Sequence, residues 1–167
     1  MRSIAIRCAL RRESYWYNLR LYLAEDICMT TKRSLLAIVA GFILLGAGRY
    51  LIHSVWLAGP YAENATLWRT QSAMLHRLWV IHLANLIFAA ATVLIYVRGI
   101  EPKPWLGQGI RFGILLALVT AVPQSMVEFF TYPIPAALAV DWIIGEGLLA
   151  VLLGVVVAAI CRPKTTP

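Results

Sequence analysis

Eight polar residues, Arg49, His53, His82, Asn85, Gln124, Glu128, Asp141 and Glu146, six of them ionisable, lie inside stretches that are otherwise apolar. A guanidinium, carboxylates and imidazoles in such a setting can pair as ions, exchange protons or hold a polar ligand. Arg49 and His53 sit within SLLAIVAGFILLGAGRYLIHSVWLAG, a run that opens at Ser34. It is long enough to span a bilayer. A cation inside it costs roughly 2.5 to 3.5 kcal/mol on insertion scales unless it finds water, headgroups or a counter-charge. Depth identifies the partner. Counted from the outer end of each apolar run, Arg49 and Glu146 are each about ten residues in, at about 1.5 Å per residue. His53, His82, Glu128 and Asp141 lie nearer the outer surface, and Asn85 and Gln124 fall between. The shared half-depth predicts one site or one hydrogen-bonded network, led by an Arg49–Glu146 ion pair joining the first apolar run to the last.

The remaining chemistry is sparse. Gln124 and Glu128 stand at i, i+4 spacing just past Pro123, so they share a helix face beyond an expected kink. His53, His76 and His82 are too scattered for a metal site, and the six-residue step from His76 to His82 does not repeat on one helix face. A haem needs two facing histidines, for which His53 and His82 are the only pair on offer; His82 beside Asn85 reads more simply as a hydrogen-bonded helix interface. No nucleophile–base or metal spacing is present, so the expectation is no catalytic residue, no metal and no cofactor. Cys8, Cys28 and Cys161 form no CxxC pair and read as free thiols.

The elements that must position these groups follow from composition. Of 167 residues, 60% are hydrophobic and 14% charged, with mean hydropathy +0.74, well outside the range of water-soluble domains. The expected fold is all-α, an integral membrane bundle of four transmembrane helices over about 35–57, 78–97, 112–130 and 136–160, making one domain over 34–163. Gly59-Pro60 reads as the end of the first span and the segment from Tyr61 to Arg77 as a long external loop, with Trp56, Trp68 and Trp79 as an interfacial belt. Its Asn64-Ala65-Thr66 matches a glycosylation acceptor, a tripeptide common by chance. On the second span Leu78, His82, Asn85, Ala89, Thr92 and Tyr96 share a face, which predicts that this stripe points into the bundle. Pro102, Pro104, Gly107 and Gly109 read as loop. Basic residues collect in residues 1–33, around 98–111 and at the C-terminus, which predicts that both termini are cytoplasmic. The net charge of +7 is explained by this bias and by anionic lipid, not by nucleic acid. Residues 1–33 read either as a basic interfacial helix around RRESYWYNLRLYLAED or as an extension ahead of a natural start at Met29.

The segment IRFGILLALVTAVPQSMVEFFTYPIPAALAVDWIIGEGLLAVLLGVVVAAICRP has an Arg-Phe-Gly entry, an internal proline, a Tyr-Pro-x-Pro turn and an Asp-Trp near the start of the last span. In these features it resembles a family of small bacterial membrane proteins that carry a domain of unknown function. The resemblance covers roughly Leu35 to Pro163 and implies four spans and a bacterial inner-membrane setting, without implying any chemistry. The functional expectation is a non-enzymatic accessory or assembly component, with the lipid bilayer and a larger membrane complex or a homo-oligomer as partners. The alternative is a binder or transporter of small molecules or protons acting as an oligomer. A membrane enzyme with His82 and Glu128 as acid and base is the least specified reading.

Overall fold

The computed structural model describes residues 31–101 and 103–162; the interfacial helix expected near the N-terminus, with Cys8 and Cys28, lies outside the described residues. Every regular element among them is helical. Four helices are long and apolar enough to cross a membrane: α1 (Thr31–Trp56), α4 (Leu78–Arg98), the span Trp105–Thr131 made of α5 (Trp105–Val119) and α6 (Ala121–Thr131), and α7 (Ala136–Cys161). Two short helices, α2 (Ala58–Glu63) and α3 (Gln71–Leu75), lie between α1 and α4, with a 3-10 turn at Ala65–Leu67.

Helix α7 is the centre of the bundle. Its buried residues run from Leu138 to Cys161 on several sides, because it meets α1, α5 and α6 together. Glycine makes the closest of these approaches. A Cβ added to Gly113 would lie 2.5 Å from the Val151 Cα, and one added to Gly154 would lie 2.5 Å from the Gly109 carbonyl oxygen and 2.8 Å from the Gly113 Cα. The backbones of α5 and α7 therefore touch through residues with no side chain. Lipid offers little hydrophobic drive between helices, and small residues that let backbones meet supply dispersion instead. On the other side of α7, Gly41 of α1 faces Leu153 and Ala89, while Gly48 faces Leu149. Helix α4 packs through Asn85, Ala89, Thr92, Val93 and Tyr96, all buried.

Four features differ from the sequence reading. Helix α5 opens at Trp105, with Pro104 at its N-cap, so Gly107 and Gly109 are helical and not loop. Pro104 ends the turn because it cannot be hydrogen-bonded into a preceding helix, and Gly109 is in the helix to let α7 close on it. The third span breaks at Thr120, three residues before Pro123; a proline ring clashes with the carbonyl four residues back and cannot bond to it. There the Thr120 hydroxyl donates to the Leu116 carbonyl at 2.7 Å. Gly59-Pro60 does not end helical structure but lies in the first turn of α2, where proline's missing N–H costs nothing. Finally, Leu78 and His82 at the outer end of the α4 stripe are exposed, so the inward face begins at Asn85.

The connection between α1 and α4 also folds back. Leu57, Ile134, Leu138, Ala139 and Trp142 are buried together, with Tyr61, Leu67 and Trp68 packed on them, as a cap over the C-terminal end of α1 and the N-terminal end of α7. Trp68 thus belongs to this cap, while Trp56 and Trp79 are exposed, at 50% and 65%.

The glycine contacts predict a contrast. Gly113→Val places branched carbon against backbone that cannot yield, and overpacking of this kind costs about 1–3 kcal/mol or more. Gly46→Val meets open space. Thermal melts in detergent should show a large loss for the first and almost none for the second.

Candidate functional site

The polar residues toward the capped end of the bundle resolve into one chain of hydrogen bonds and several separate groups. Arg49 of α1 meets Glu146 of α7 with Nε 3.2 Å from both carboxylate oxygens and Nη2 3.1 Å from Oε2. Its Nη1 donates to Oδ1 of Asn85 on α4, and its guanidinium carbon lies 5.9 Å from the Phe88 ring centroid. Three residues, Arg49, Asn85 and Glu146, therefore tie three helices together. Asn85 is fully buried, and its Nδ2 has no partner among the described residues.

His53 adds a second partner to the carboxylate. It lies in the last stretch of α1, Leu51–Trp56, which winds as a π-helix and closes with the Leu57 N–H bonded to the Ile52 carbonyl at 2.9 Å. Single π turns within α-helices are frequent at functional sites. This one packs closely on α7: a Cβ at Gly145 would be 3.0 Å from Ile52 Cγ2 and 3.2 Å from Trp56. The missing side chain at Gly145 lets α1 approach the residue beside Glu146, and His53 Nε2 reaches Glu146 Oε1 at 3.1 Å.

The chain continues into the cap. His53 Nδ1 is 2.6 Å from the Tyr61 hydroxyl, which accepts from Trp142 Nε1 at 2.7 Å. With one lone pair taken by Trp142, the hydroxyl proton is free to donate to His53 Nδ1. A neutral imidazole then carries its proton on Nε2 and donates it to Glu146. Burial, reinforced by the charges of Glu128 and Glu146 and opposed by the Trp142 donation, pushes the Tyr61 phenol up to about 12.

Of the eight residues singled out from sequence, Arg49, His53, Asn85 and Glu146 come together, and the expected Arg49–Glu146 pair is present. Gln124 and Glu128 pair with each other at 2.8 Å on α6, away from Arg49. His82 is exposed, with its ring 6.3 Å from that of Phe42 and far from forming an axial pair with His53. Asp141 is half-buried one residue before Trp142 and takes no part in the network. An apolar groove of about 170 Å³ between α6 and α7, lined by Ser125, Met126, Phe129, Ala136, Ala139, Val140 and Ile143, contains none of the network residues. Tyr61 and Trp142 were not legible as members. The available signal was two hydrogen-bonding aromatics at the outer ends of the two runs that carry Arg49 and Glu146, but an aromatic in such a place ordinarily marks an interface.

No protein-family model, curated protein or solved structure matches the chain.

Two predictions follow from this geometry. Arg49→Leu or Glu146→Gln leaves a lone partner in a dry setting, a loss of about 3–5 kcal/mol when fully buried and toward the lower figure here, because the side chains keep 28% and 21% exposure. The double variant should lose less than the sum of the singles; a thermal double-mutant cycle with zero coupling would sink the pair as a stabilising unit. For Tyr61, the raised pKa favours the neutral phenol in the folded chain. Its stabilisation is complete below the unfolded value near 10 and drains away as pH rises toward about 12. Tryptophan fluorescence should report cap loosening across that window in the native chain, and Tyr61→Phe should abolish the dependence.

Proposed function

We propose that the chain is a multi-pass integral membrane protein of the bacterial inner membrane, with both termini cytoplasmic, serving as a non-enzymatic accessory or assembly component of a larger membrane complex. One observation carries this reading: both carboxylate oxygens of Glu146 are engaged by Arg49 and His53, and the network closes on its own helices and cap. A polar cluster whose strongest acceptor is already satisfied pins α1, α4 and α7 in one arrangement. The outward surface supports membrane insertion and association. Phe130 is 90% exposed and Val119 73%, and large apolar side chains face outward on every long helix, which water penalises and lipid or a partner helix does not.

A second reading, proton handling, is favoured by a specific feature. Tyr61, His53 and Glu146 form a continuous chain of exchangeable protons from the cap to the buried ion pair, carried on a π turn. Such a chain is how intramembrane carboxylates communicate with one surface.

Reporter fusions at Pro60 and Pro133 should both report the outside, and cytoplasmic signals at both would overturn the orientation. The native chain, extracted in mild detergent, should migrate in an assembly much larger than itself. A lone monomer or homodimer that acidifies or alkalises liposomes, with His53→Gln silent, would replace the accessory role with proton handling.

A further inference from the structure

At the end of the bundle where α1 and α5 begin and α4 and α7 finish, the described residues include six cations, Lys32, Arg33, Arg98, Lys103, Arg111 and Arg162, and one acid, Glu101. That acid is matched already, with Lys103 Nζ 2.5 Å from its Oε2. Arg98 and Arg111 turn back on their own helices, donating to the Leu94 and Gly107 carbonyls at 3.3 Å. The others are arranged differently. Arg33 Nη1 crosses from α1 to donate to the Arg162 carbonyl at 2.6 Å, and the Arg162 guanidinium carbon lies 5.9 Å from the Trp105 ring centroid.

The first contact caps α7, whose terminal carbonyls carry partial negative charge. It also fixes the α1 guanidinium beside the residue that bears the second one. Arg33 uses one of five N–H donors in this bond, so four remain. The two cations belong to residues joined by this bond, and an anion placed among them is attracted by each. Trp105, half-buried in the first turn of α5, is of the residue type that settles at the level of lipid headgroups. Below it Leu35, Leu36 and Leu106 are exposed at 58%, 59% and 47%.

We propose that Arg33, Arg162 and Trp105, flanked by Lys32, form a binding site for the phosphate of an anionic phospholipid headgroup. The planar guanidinium fork matches phosphate oxygens in bidentate fashion. The indole face and the exposed leucines take the glycerol and acyl carbons, which distinguishes a lipid from free phosphate sharing the same oxygen chemistry. The site rests on the membrane reading above and deepens it.

The test uses the full chain purified in an uncharged detergent, with the thermal midpoint read after adding phosphatidylglycerol, phosphatidylcholine or inorganic phosphate at equal phosphate concentration. Phosphatidylglycerol should raise the midpoint by several degrees in the native chain and in Arg98→Gln/Arg111→Gln, and by less than half as much in Arg33→Gln/Arg162→Gln. Arg162→Gln alone removes one guanidinium and keeps the carbonyl that Arg33 caps, so it serves if the double variant does not fold. A shift from inorganic phosphate that depends on the same two arginines keeps the anion site and assigns it to a soluble ligand. An equal response to phosphatidylcholine, or an Arg162→Gln variant that responds as the native chain does, overturns the site. The fusion reporters above test insertion separately, so an inserted protein without headgroup selectivity refutes the site alone.

Discussion

The Glu146 carboxylate is the group around which the other helices must be placed. It stands in the middle of α7, in a run whose other residues are almost all aliphatic or small. Moving a carboxylate out of water carries a penalty of several kcal/mol, which an opposing charge with good hydrogen-bond geometry offsets. Arg49 and His53 supply that charge and geometry from a single face of α1, and the Asn85 carbonyl steadies the guanidinium from α4. Satisfying one acid thereby sets the rotation of α1 about its axis, the side of α4 that turns inward and the register of both against α7.

Glycine then decides how near the helices can come. Gly145 lets the π turn settle beside Glu146, and Gly41 and Gly48 bring the rest of α1 onto Leu149 and Leu153. At the other end of α7, Gly109, Gly113 and Gly154 form a contact of backbone against backbone, with no polar side chain in it. The bundle thus uses two kinds of adhesion: ionic and hydrogen-bonded toward the capped end, and dispersive toward the basic end. Both need small residues, the first to bring long side chains into reach and the second because the contact itself is the attraction.

The cap couples the half-buried pair to the connection between α1 and α4. Tyr61 joins His53 to Trp142, while Trp68 meets both rings edge-on, so the chain between α1 and α4 is packed in place by aromatic contacts. The break at Thr120 and the π turn of α1 are the two departures from regular α-helix in the long helices, and both fall in the capped half. The basic half is regular.

Much of this was legible in residue types and their spacing. Four long apolar runs, the two i, i+4 polar residues beyond Pro123 and an arginine matched in depth to one glutamate are one-dimensional facts, because span length and depth scale directly with residue number. They determined four long helices and the Arg49–Glu146 pair. Rotation about a helix axis is another matter. His82, Gln124, Glu128 and Asp141 fall in the same half of their runs as the pair but do not join it, and depth alone could not separate them from His53 and Asn85. Nor could composition tell a helix-breaking glycine from one that permits contact: Gly109 reads as loop until α7 is seen lying against α5. The membership of Tyr61 and Trp142, the π geometry at His53 and the folding back of the connection between α1 and α4 were decided by the tertiary structure, because each depends on what stands opposite a residue and not on what precedes it in the chain.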